Sequence, residues 1–179
     1  MRSLLAVGLF FLAGFIATVD LTPEPRLVVK AYTEQDILRE MKREEQQKKI
    51  DAASKQALAV FKKRPECRPY AGIVGENAVI NGLPARVLAA MAIAESSCNP
   101  EAVSPTGDYG IWQINARVWK QRPSVLRNPA YNGAFAARVL RGYVSQSGLK
   151  EGLHRYNGLG RPAGEYSDRI LLIAYGRPS

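Results

Sequence analysis

The sequence predicts a mainly α-helical protein with at most a small β element, preceded by a charged helix and an N-terminal hydrophobic segment. Turn-forming Gly, Pro and Asn residues separate the helical stretches, and only the short tract Gly110–Asn115 alternates as a strand would. Apolar residues recur at helical spacing in five stretches, at 70–81, 84–95, 132–144, 149–156 and 165–174.

The composition divides the chain into three parts. Its 179 residues are close to the usual size of one domain with appendages. We assign residues 1–19 to a hydrophobic segment, 20–64 to a linker and a charged helix, and 65–179 to a helical domain.

The N-terminal segment is typical of a signal peptide or a signal anchor. Arg2 precedes the apolar run Leu4–Val19, which is short for a membrane span of about 20 residues. Ala17–Val19 is a poor cleavage site, so cleavage and retention both remain open. The segment predicts export to the periplasm or cell envelope, with residues 4–19 as an inner-membrane anchor if they are retained. A core helix is the alternative.

The middle segment begins as an extended linker with Pro23 and Pro25 and continues as a charged helix between Thr33 and Arg64. Thr33 with Asp36 three residues later resembles an N-cap signature. Apolar residues cluster towards the two ends of this helix, and its centre is wholly polar. The pattern predicts a solvated helix that packs at its ends; a membrane stalk and a partner-binding helix are the alternatives.

A helix that starts after Pro84 carries one carboxylate on its apolar face. Glu95 shares that face with Leu88 and Met91, because the three follow helical spacing. Desolvation and the partial negative charge of the helix C-terminus both disfavour the carboxylate, so we expect the pKa of Glu95 to be raised. A carboxylic acid that stays protonated near neutral pH can serve as a general acid.

Several motifs around this helix occur in a recognisable order. E-S-x-x-N-P starts at Glu95, S-P-T-G at Ser104, G-I-W-Q-I at Gly110, Y-N-G at Tyr156 and Y-S-D-R-I at Tyr166. By these motifs the chain resembles the soluble lytic transglycosylase (SLT) family over roughly residues 67–173. The resemblance implies that residues 65–179 form a lysozyme-like domain that acts on peptidoglycan.

The resemblance also implies a reaction and a set of site residues. A lytic transglycosylase cleaves the MurNAc-GlcNAc β-1,4 glycosidic bond with 1,6-anhydro-MurNAc formation, here for local cell-wall remodelling, and needs no cofactor or metal. Glu95 would protonate the glycosidic oxygen and then take the proton of the C6 hydroxyl. The substrate-binding residues implied in the cleft are Ser104, Gln113, Tyr156, Asn157 and Tyr166.

Each implied binding residue has an ordinary alternative. Gln113 would bind N-acetyl or hydroxyl groups of the substrate. Tyr156 and Asn157 would position the catalytic acid and the N-acetyl carbonyl, and Tyr166 would lie near Glu95. Packing is the alternative for the two tyrosines, and a helix cap is the alternative for Asn157.

Two residues depart from the family pattern and leave other activities open. Asp108 stands where the family usually has a small residue, and the run D-Y-G-I-W-Q-I-N also resembles animal-type lysozymes. A muramidase with Glu95 as acid and Asp108 as second carboxylate is therefore an alternative. Trp112 stands where Met is common and would either face a sugar or pack. A non-catalytic peptidoglycan-binding protein is the third possibility, against which the presence of Glu95 argues.

The two cysteines, Cys67 and Cys98, are expected to form a disulfide, since an even number in an exported chain favours pairing. The bridge would close a loop of about 30 residues and contribute about 3–4 kcal/mol. Two buried free thiols are the alternative. His154 is the only histidine, so we expect no metal site and assign His154 no role.

The net charge of +9 suits an anionic partner. For an exported chain that partner is the cell wall, and no aromatic–basic motif favours nucleic acid. The resemblance implies glycan strands of peptidoglycan as the partner, with membrane contact only through the N-terminal segment. The resemblance adds secretion, conjugation, pilus or phage machinery as possible assemblies.

Overall fold

The computed structural model describes residues 15–19, 27–31, 33–158 and 164–176. The chain forms two compact units, Met1–Gln46 and Gln47–Ser179. Most of the predicted export segment, residues 4–14, lies outside the described residues, as does part of the predicted linker. Among the residues that are described, no helix is both long enough and apolar enough to cross a membrane.

The first unit contains an antiparallel strand pair. Strand β1, Phe15–Val19, is the last part of the apolar run, and β2, Leu27–Ala31, lies in the segment for which we predicted an extended linker. Phe15 pairs with Ala31 and Val19 with Leu27. The export or anchor function of residues 4–19 stays a prediction.

Helix α1, Glu34–Val60, is the predicted charged helix, and its start has the predicted cap. The Thr33 N–H donates to Asp36 Oδ2 at 3.1 Å, and the Asp36 N–H donates to Thr33 Oγ1 at 3.2 Å. Two backbone donors that a helix start leaves unpaired are thereby satisfied. Three apolar side chains near this start are exposed, namely Ile37, Leu38 and Met41.

The C-terminal part of α1 belongs to the second unit and packs closely against helix α2, Ala71–Asn81. Ala53 and Ala57 are buried on this side of α1. A Cβ placed on Gly75 of α2 would lie 2.1 Å from Ser54 Oγ and 2.8 Å from the Ile50 carbonyl oxygen. Only glycine allows the two helices to approach this closely. The predicted boundary at residue 65 therefore falls inside a compact unit that begins at Gln47.

The rest of the second unit is helical, as predicted, and is built around helix α3, Ala85–Ser96. The α3 residues 87–92 are all buried, so this helix is enclosed on every side by the core. It contacts α2 and the last helix, α7. The other elements are two 3-10 segments, Phe61–Lys63 and Pro65–Tyr70, and helices α4 Pro123–Leu126, α5 Pro129–Ser147, α6 Leu149–Asn157 and α7 Glu165–Tyr175.

A two-stranded hairpin follows α3 and differs from the single strand predicted at residues 110–115. Strand β3, Asp108–Tyr109, pairs with β4, Ile114–Asn115. Gly110 and Gln113 have φ of 79° and 48°, so the chain turns between the strands instead of continuing extended. The small β element is thus present in the mainly α, lysozyme-like arrangement that the sequence predicts.

The hairpin turn is fastened to α5 by one buried amide. Asn132, which is fully buried, accepts a hydrogen bond from the Trp112 N–H at 2.8 Å and donates to the Tyr109 carbonyl at 2.9 Å. A Cβ on Gly110 would lie 2.3 Å from the Leu126 carbonyl oxygen. The position of the turn is therefore determined by packing against α4 and α5.

Cys67 and Cys98 form the predicted disulfide, with their Cα atoms 5.2 Å apart. The bridge joins the 3-10 segment Pro65–Tyr70 to the residue that lies two positions after the end of α3. It thereby ties the beginning of the helical domain to the end of the helix that carries Glu95.

Candidate active site

Glu95 lies in the last turn of the enclosed helix α3 and is half-buried. The helix ends at Ser97, whose φ of 53° is left-handed. The Cys98 N–H donates to the Ala92 carbonyl at 2.9 Å, and the Ser97 N–H donates to the Ile93 carbonyl at 3.0 Å. These bonds satisfy two carbonyl groups at the helix end, and the disulfide at Cys98 reinforces this end. The backbone that carries Glu95 is therefore held in place.

Ser96 connects the end of α3 to the hairpin. Its hydroxyl donates to the Ile111 carbonyl at 2.9 Å and accepts from the Asn99 N–H at 3.1 Å. Ser96 belongs to the E-S-x-x-N-P motif, but no role is predicted for it from the sequence. The S that follows the acid in E-S-x-x-N-P was the available signal, because a small hydroxyl at a helix end commonly bonds to nearby backbone.

Tyr166 contacts the candidate acid directly. It lies in the first turn of α7, and its hydroxyl donates a hydrogen bond to Glu95 Oε1. Burial raises the pKa of Tyr166 well above 10.0, and the Glu95 charge and hydrogen bond raise it further. The phenol therefore stays protonated at physiological pH and serves as a donor to the carboxyl group.

Tyr156, near the end of α6, lies within the electrostatic reach of two carboxylates. Burial, then the charges of Glu95 and Asp108, raise the pKa of Tyr156 well above 10.0. Its hydroxyl donates to the Trp112 carbonyl at 2.8 Å, so it bonds to the hairpin turn and not to Glu95. Tyr156 thus fixes the turn beside the acid.

A cavity of about 240 Å³ lies between the hairpin and α6. Three of the predicted binding residues line it, namely Gln113, Tyr156 and Asn157, together with the possible second carboxylate Asp108. Ser104 is not among its lining residues. The aromatic rings of Trp119 and Tyr143 also line this cavity, and sequence reasoning missed both because apolar residues at helical spacing are more often core residues.

Gln113 presents an amide to this cavity in a fixed orientation. Its Nε2 donates to the Gly110 carbonyl at 2.8 Å and to the Ala102 carbonyl at 3.3 Å. None of the hydrogen bonds found among the described residues uses its Oε1. The amide oxygen is therefore placed to accept a hydrogen bond from a hydroxyl or N–H group of a ligand.

Comparison with known proteins gives one family. The family model described as "Transglycosylase SLT domain" matches residues 72–166, more than half of the chain. The chain belongs to the SLT transglycosylase family. The match runs from α2 to the first turn of α7 and includes Glu95, the hairpin and Tyr166. No curated protein and no solved structure matched the chain.

Membership of the SLT family makes peptidoglycan the substrate class and a lytic transglycosylase-type activity the general function. The SLT domain also has the lysozyme-like, mainly α fold that was predicted from the motifs. In the described part of this SLT protein, no group of His, Cys, Asp and Glu side chains is arranged to hold a metal ion.

Asp108, the residue that departs from the SLT pattern, is held by its own hairpin. Its Oδ2 accepts from the hydroxyls of Ser104 and Thr106, each at 2.6 Å. Its Oδ1 accepts from Asn115 Nδ2 at 2.8 Å. The Ser104 hydroxyl also accepts from the Asp108 N–H at 3.0 Å, so Ser104 is used within the hairpin.

Trp112, the other departure from the SLT pattern, packs in the core. Its side chain is 1% exposed, and its indole Nε1 donates to the Leu88 carbonyl at 3.0 Å. Of the two alternatives left open by the sequence, the structure supports packing, and a sugar-facing Trp112 is wrong.

Proposed function

We propose that this SLT protein is a peptidoglycan lytic transglycosylase that cleaves the MurNAc-GlcNAc β-1,4 bond and forms 1,6-anhydro-MurNAc. The observation that carries the proposal is the position of Glu95, at the end of an enclosed helix with its carboxyl group bonded by Tyr166. A half-buried carboxyl group with a neutral donor beside it is suited to both giving and taking a proton.

The proposed reaction has two proton transfers and one acid. Glu95 protonates the glycosidic oxygen, and the bond from that oxygen to C1 of MurNAc breaks with positive charge developing at C1. The ionised Glu95 then takes the proton of the C6 hydroxyl while the C6 oxygen bonds to C1. Glu95 is thus restored to its starting form, and no water is consumed.

In the proposed reaction, residues that line the 240 Å³ cavity bind and orient the substrate. Gln113 accepts a hydrogen bond from the sugar through its Oε1, and Asn157 orients the N-acetyl carbonyl. Fixed dipoles of this kind stabilise developing charge without having to reorient during the reaction. Tyr156 keeps the hairpin turn in position through its bond to Trp112.

A muramidase that uses Glu95 and Asp108 is the second candidate function. The lysozyme-like run around Asp108 favours it, and Asp108 does line the cavity. Against it, three side-chain donors already bond to the Asp108 carboxylate. Such bonds stabilise the anion and make it a weaker nucleophile, which supports a structural role in the hairpin.

Mass analysis of digested sacculi tests the proposal. The wild-type protein should release muropeptides with anhydro ends, and Glu95→Gln should abolish release while binding to sacculi persists. Glu76→Gln, on the exposed side of α2, is the matched control and should retain activity. Reducing ends from the wild type would establish the muramidase instead, and binding without any new ends would establish a non-catalytic binding protein.

We further propose that the protein acts in the periplasm or cell envelope, with residues 4–19 as an inner-membrane anchor if they are retained. The apolar run behind Arg2 and the net charge of +9 support this location, since the wall is anionic. An envelope-spanning secretion, conjugation, pilus or phage assembly would then be its setting. Cell fractionation with an alkaline wash tests this location: retention in the membrane pellet means an anchor, and cytoplasmic recovery would contradict export.

A further inference from the structure

A second cavity, of about 420 Å³, is lined in part by Glu95. It lies between the end of α1, the end of α3 and α7, all within the second unit. We propose that this cavity binds the free carboxylate groups of the peptide that is attached to MurNAc. The inference rests on the proposed function, because it places this peptide next to the scissile bond.

The cavity is strongly cationic. Lys63, Arg64 and Arg169 line it, and Glu95 is the only acidic residue among those that do. Among the described residues, no carboxylate forms an ion pair with Lys63 or Arg169, whereas Arg64 pairs with Glu66 at 3.5 Å. Three cations gathered in a recess that one carboxylate lines produce a net positive potential, which attracts an anionic ligand.

Arg169 is held in this arrangement by the backbone next to the acid. Its Nη2 donates to the Ala94 carbonyl at 3.1 Å. A guanidinium has five N–H donors, and this bond uses only one of them. The remaining donors have the planar geometry that binds a carboxylate at two points.

The non-polar lining also fits a peptide. Val60, Ile93 and Ile173 form apolar walls beside the cations. In peptide-bearing strands the lactyl carboxyl group of MurNAc is held in an amide bond, so the sugars themselves offer no anion to this cavity. The peptide on the lactyl ether of MurNAc offers both features, because it combines small apolar side chains with free carboxylates. A MurNAc unit whose glycosidic oxygen reaches Glu95 would carry that peptide directly to the cavity that Glu95 borders.

The test compares two substrates and three variants. Sacculi are treated to remove phosphate-containing wall polymers. One half is then digested with an amidase, and the lactyl carboxylates that this exposes are converted to amides, which gives neutral, peptide-free glycan strands. Lys63→Gln and Lys63→Glu remove and reverse one cavity charge at an exposed site. Lys55→Gln removes an equal charge from the exposed side of α1 and controls for general attraction to an anionic wall.

We expect Lys63→Gln to lower kcat/KM at least fivefold on peptide-bearing strands, and Lys63→Glu to lower it further. Both variants should match the wild type on peptide-free strands, and Lys55→Gln should match it on both substrates. If the Lys63 variants lost kcat/KM equally on the two substrates, or lost none, the peptide site would be overturned. A loss that appears only when phosphate-containing polymers are left in place would also overturn it.

Binding tests the peptide site independently of catalysis. In the Glu95→Gln background, retention on peptide-bearing sacculi should fall when Lys63→Gln is added, and retention on peptide-free strands should not change. A chain that makes no anhydro ends but shows this binding difference would refute the proposed reaction and retain the peptide site. Anhydro ends without the binding difference would support the proposed reaction and refute the peptide site.

Discussion

The Tyr166 hydroxyl donates a hydrogen bond to Oε1 of Glu95, although the two residues are 71 positions apart in the chain. The bond joins the start of α7 to the end of α3, which contact each other in the core. A phenol whose pKa is raised well above 10.0 remains a donor at any physiological pH. The bond therefore holds Oε1 of Glu95 in a fixed orientation.

Tyr166→Phe tests the importance of this bond for catalysis. A hydrogen bond to a charged group contributes about 1.5–3 kcal/mol, so we expect kcat/KM to fall about 10- to 100-fold. Loss of the donor destabilises the ionised carboxylate, so the protonated acid should persist to higher pH. The alkaline limb of the pH–rate profile should accordingly move upward.

The control for this substitution is Tyr175→Phe on the same helix, where the side chain is 55% exposed. It should leave both the rate and the pH profile unchanged. If Tyr166→Phe lowered the rate without moving the alkaline limb, the bond would serve only to orient Glu95. An unchanged rate would remove Tyr166 from the site.

Stability at alkaline pH should depend on Tyr156 and Tyr166. Both have folded-state pKa values raised above 10.0, mainly by burial, so the unfolded chain loses these protons first. Their contribution is fully present below pH 10 and is lost as the pH rises through the folded-state pKa values. Chemical denaturation at several pH values above 9 should show a free energy of unfolding that falls steeply in the wild type.

The double variant Tyr156→Phe/Tyr166→Phe should flatten this alkaline fall, because phenylalanine has no proton to lose. In each single variant, the free energy of unfolding should fall with pH at an intermediate slope. A double variant with the wild-type slope would show that other groups determine the alkaline limit of stability.

The sequence predicted the parts of this site that depend on local pattern. Glu95 was found because its spacing from Leu88 and Met91 puts it on the apolar face of a helix, and the structure encloses that helix. The hairpin was misread as one strand because G-I-W-Q-I-N alternates. The left-handed conformations at Gly110 and Gln113 depend on contacts with α4 and α5, which alternation does not encode.

The parts that could not be predicted arise from contacts between distant elements. The side chain of Tyr143, on α5, lines the cavity because α5 packs beside strand β4 of the hairpin. The cationic cavity combines Lys63 from one end of the domain with Arg169 from the other, so no local motif contains it.

Asp108→Asn distinguishes a structural carboxylate from a catalytic one. If Asp108 holds the hairpin, the variant should still produce anhydro ends, with the free energy of unfolding lowered by about 1–3 kcal/mol. Thr106→Ala, which removes one 2.6 Å donor to Asp108, should lower stability in the same direction. Loss of all turnover in a folded Asp108→Asn variant would instead favour the muramidase alternative.

Removal of the disulfide should destabilise the domain. Cys67 and Cys98 are separated by 31 positions, and closure of such a loop contributes about 3–4 kcal/mol in the chain-entropy model. Chemical denaturation of Cys67→Ala/Cys98→Ala should show this loss. The wild type in reductant should behave like the double variant, and the double variant should not respond to reductant. Equal stability with and without the bridge would contradict the prediction.

A comparison of Gly110→Ala with Gly107→Ala should separate the cost of steric overlap from the cost of backbone conformation at the hairpin turn. Gly110 and Gly107 both have positive φ, 79° and 85°, so alanine at either site costs about 1–2 kcal/mol of backbone strain. A Cβ at Gly107 meets nothing within 4 Å, whereas at Gly110 it lies 2.3 Å from the Leu126 carbonyl oxygen and 2.8 Å from Asn132 Cγ. Overpacking of this kind adds about 1–3 kcal/mol.

We therefore expect Gly110→Ala to lower the free energy of unfolding by at least about 1 kcal/mol more than Gly107→Ala. Because the overlap displaces the turn that Ser96 and Tyr156 bind, Gly110→Ala should also lower the rate of anhydro-end release. Gly107→Ala should retain that rate. Equal destabilisation by the two variants would mean that the turn can shift away from α4 and α5 without loss, and that Asn132 does not fix its position.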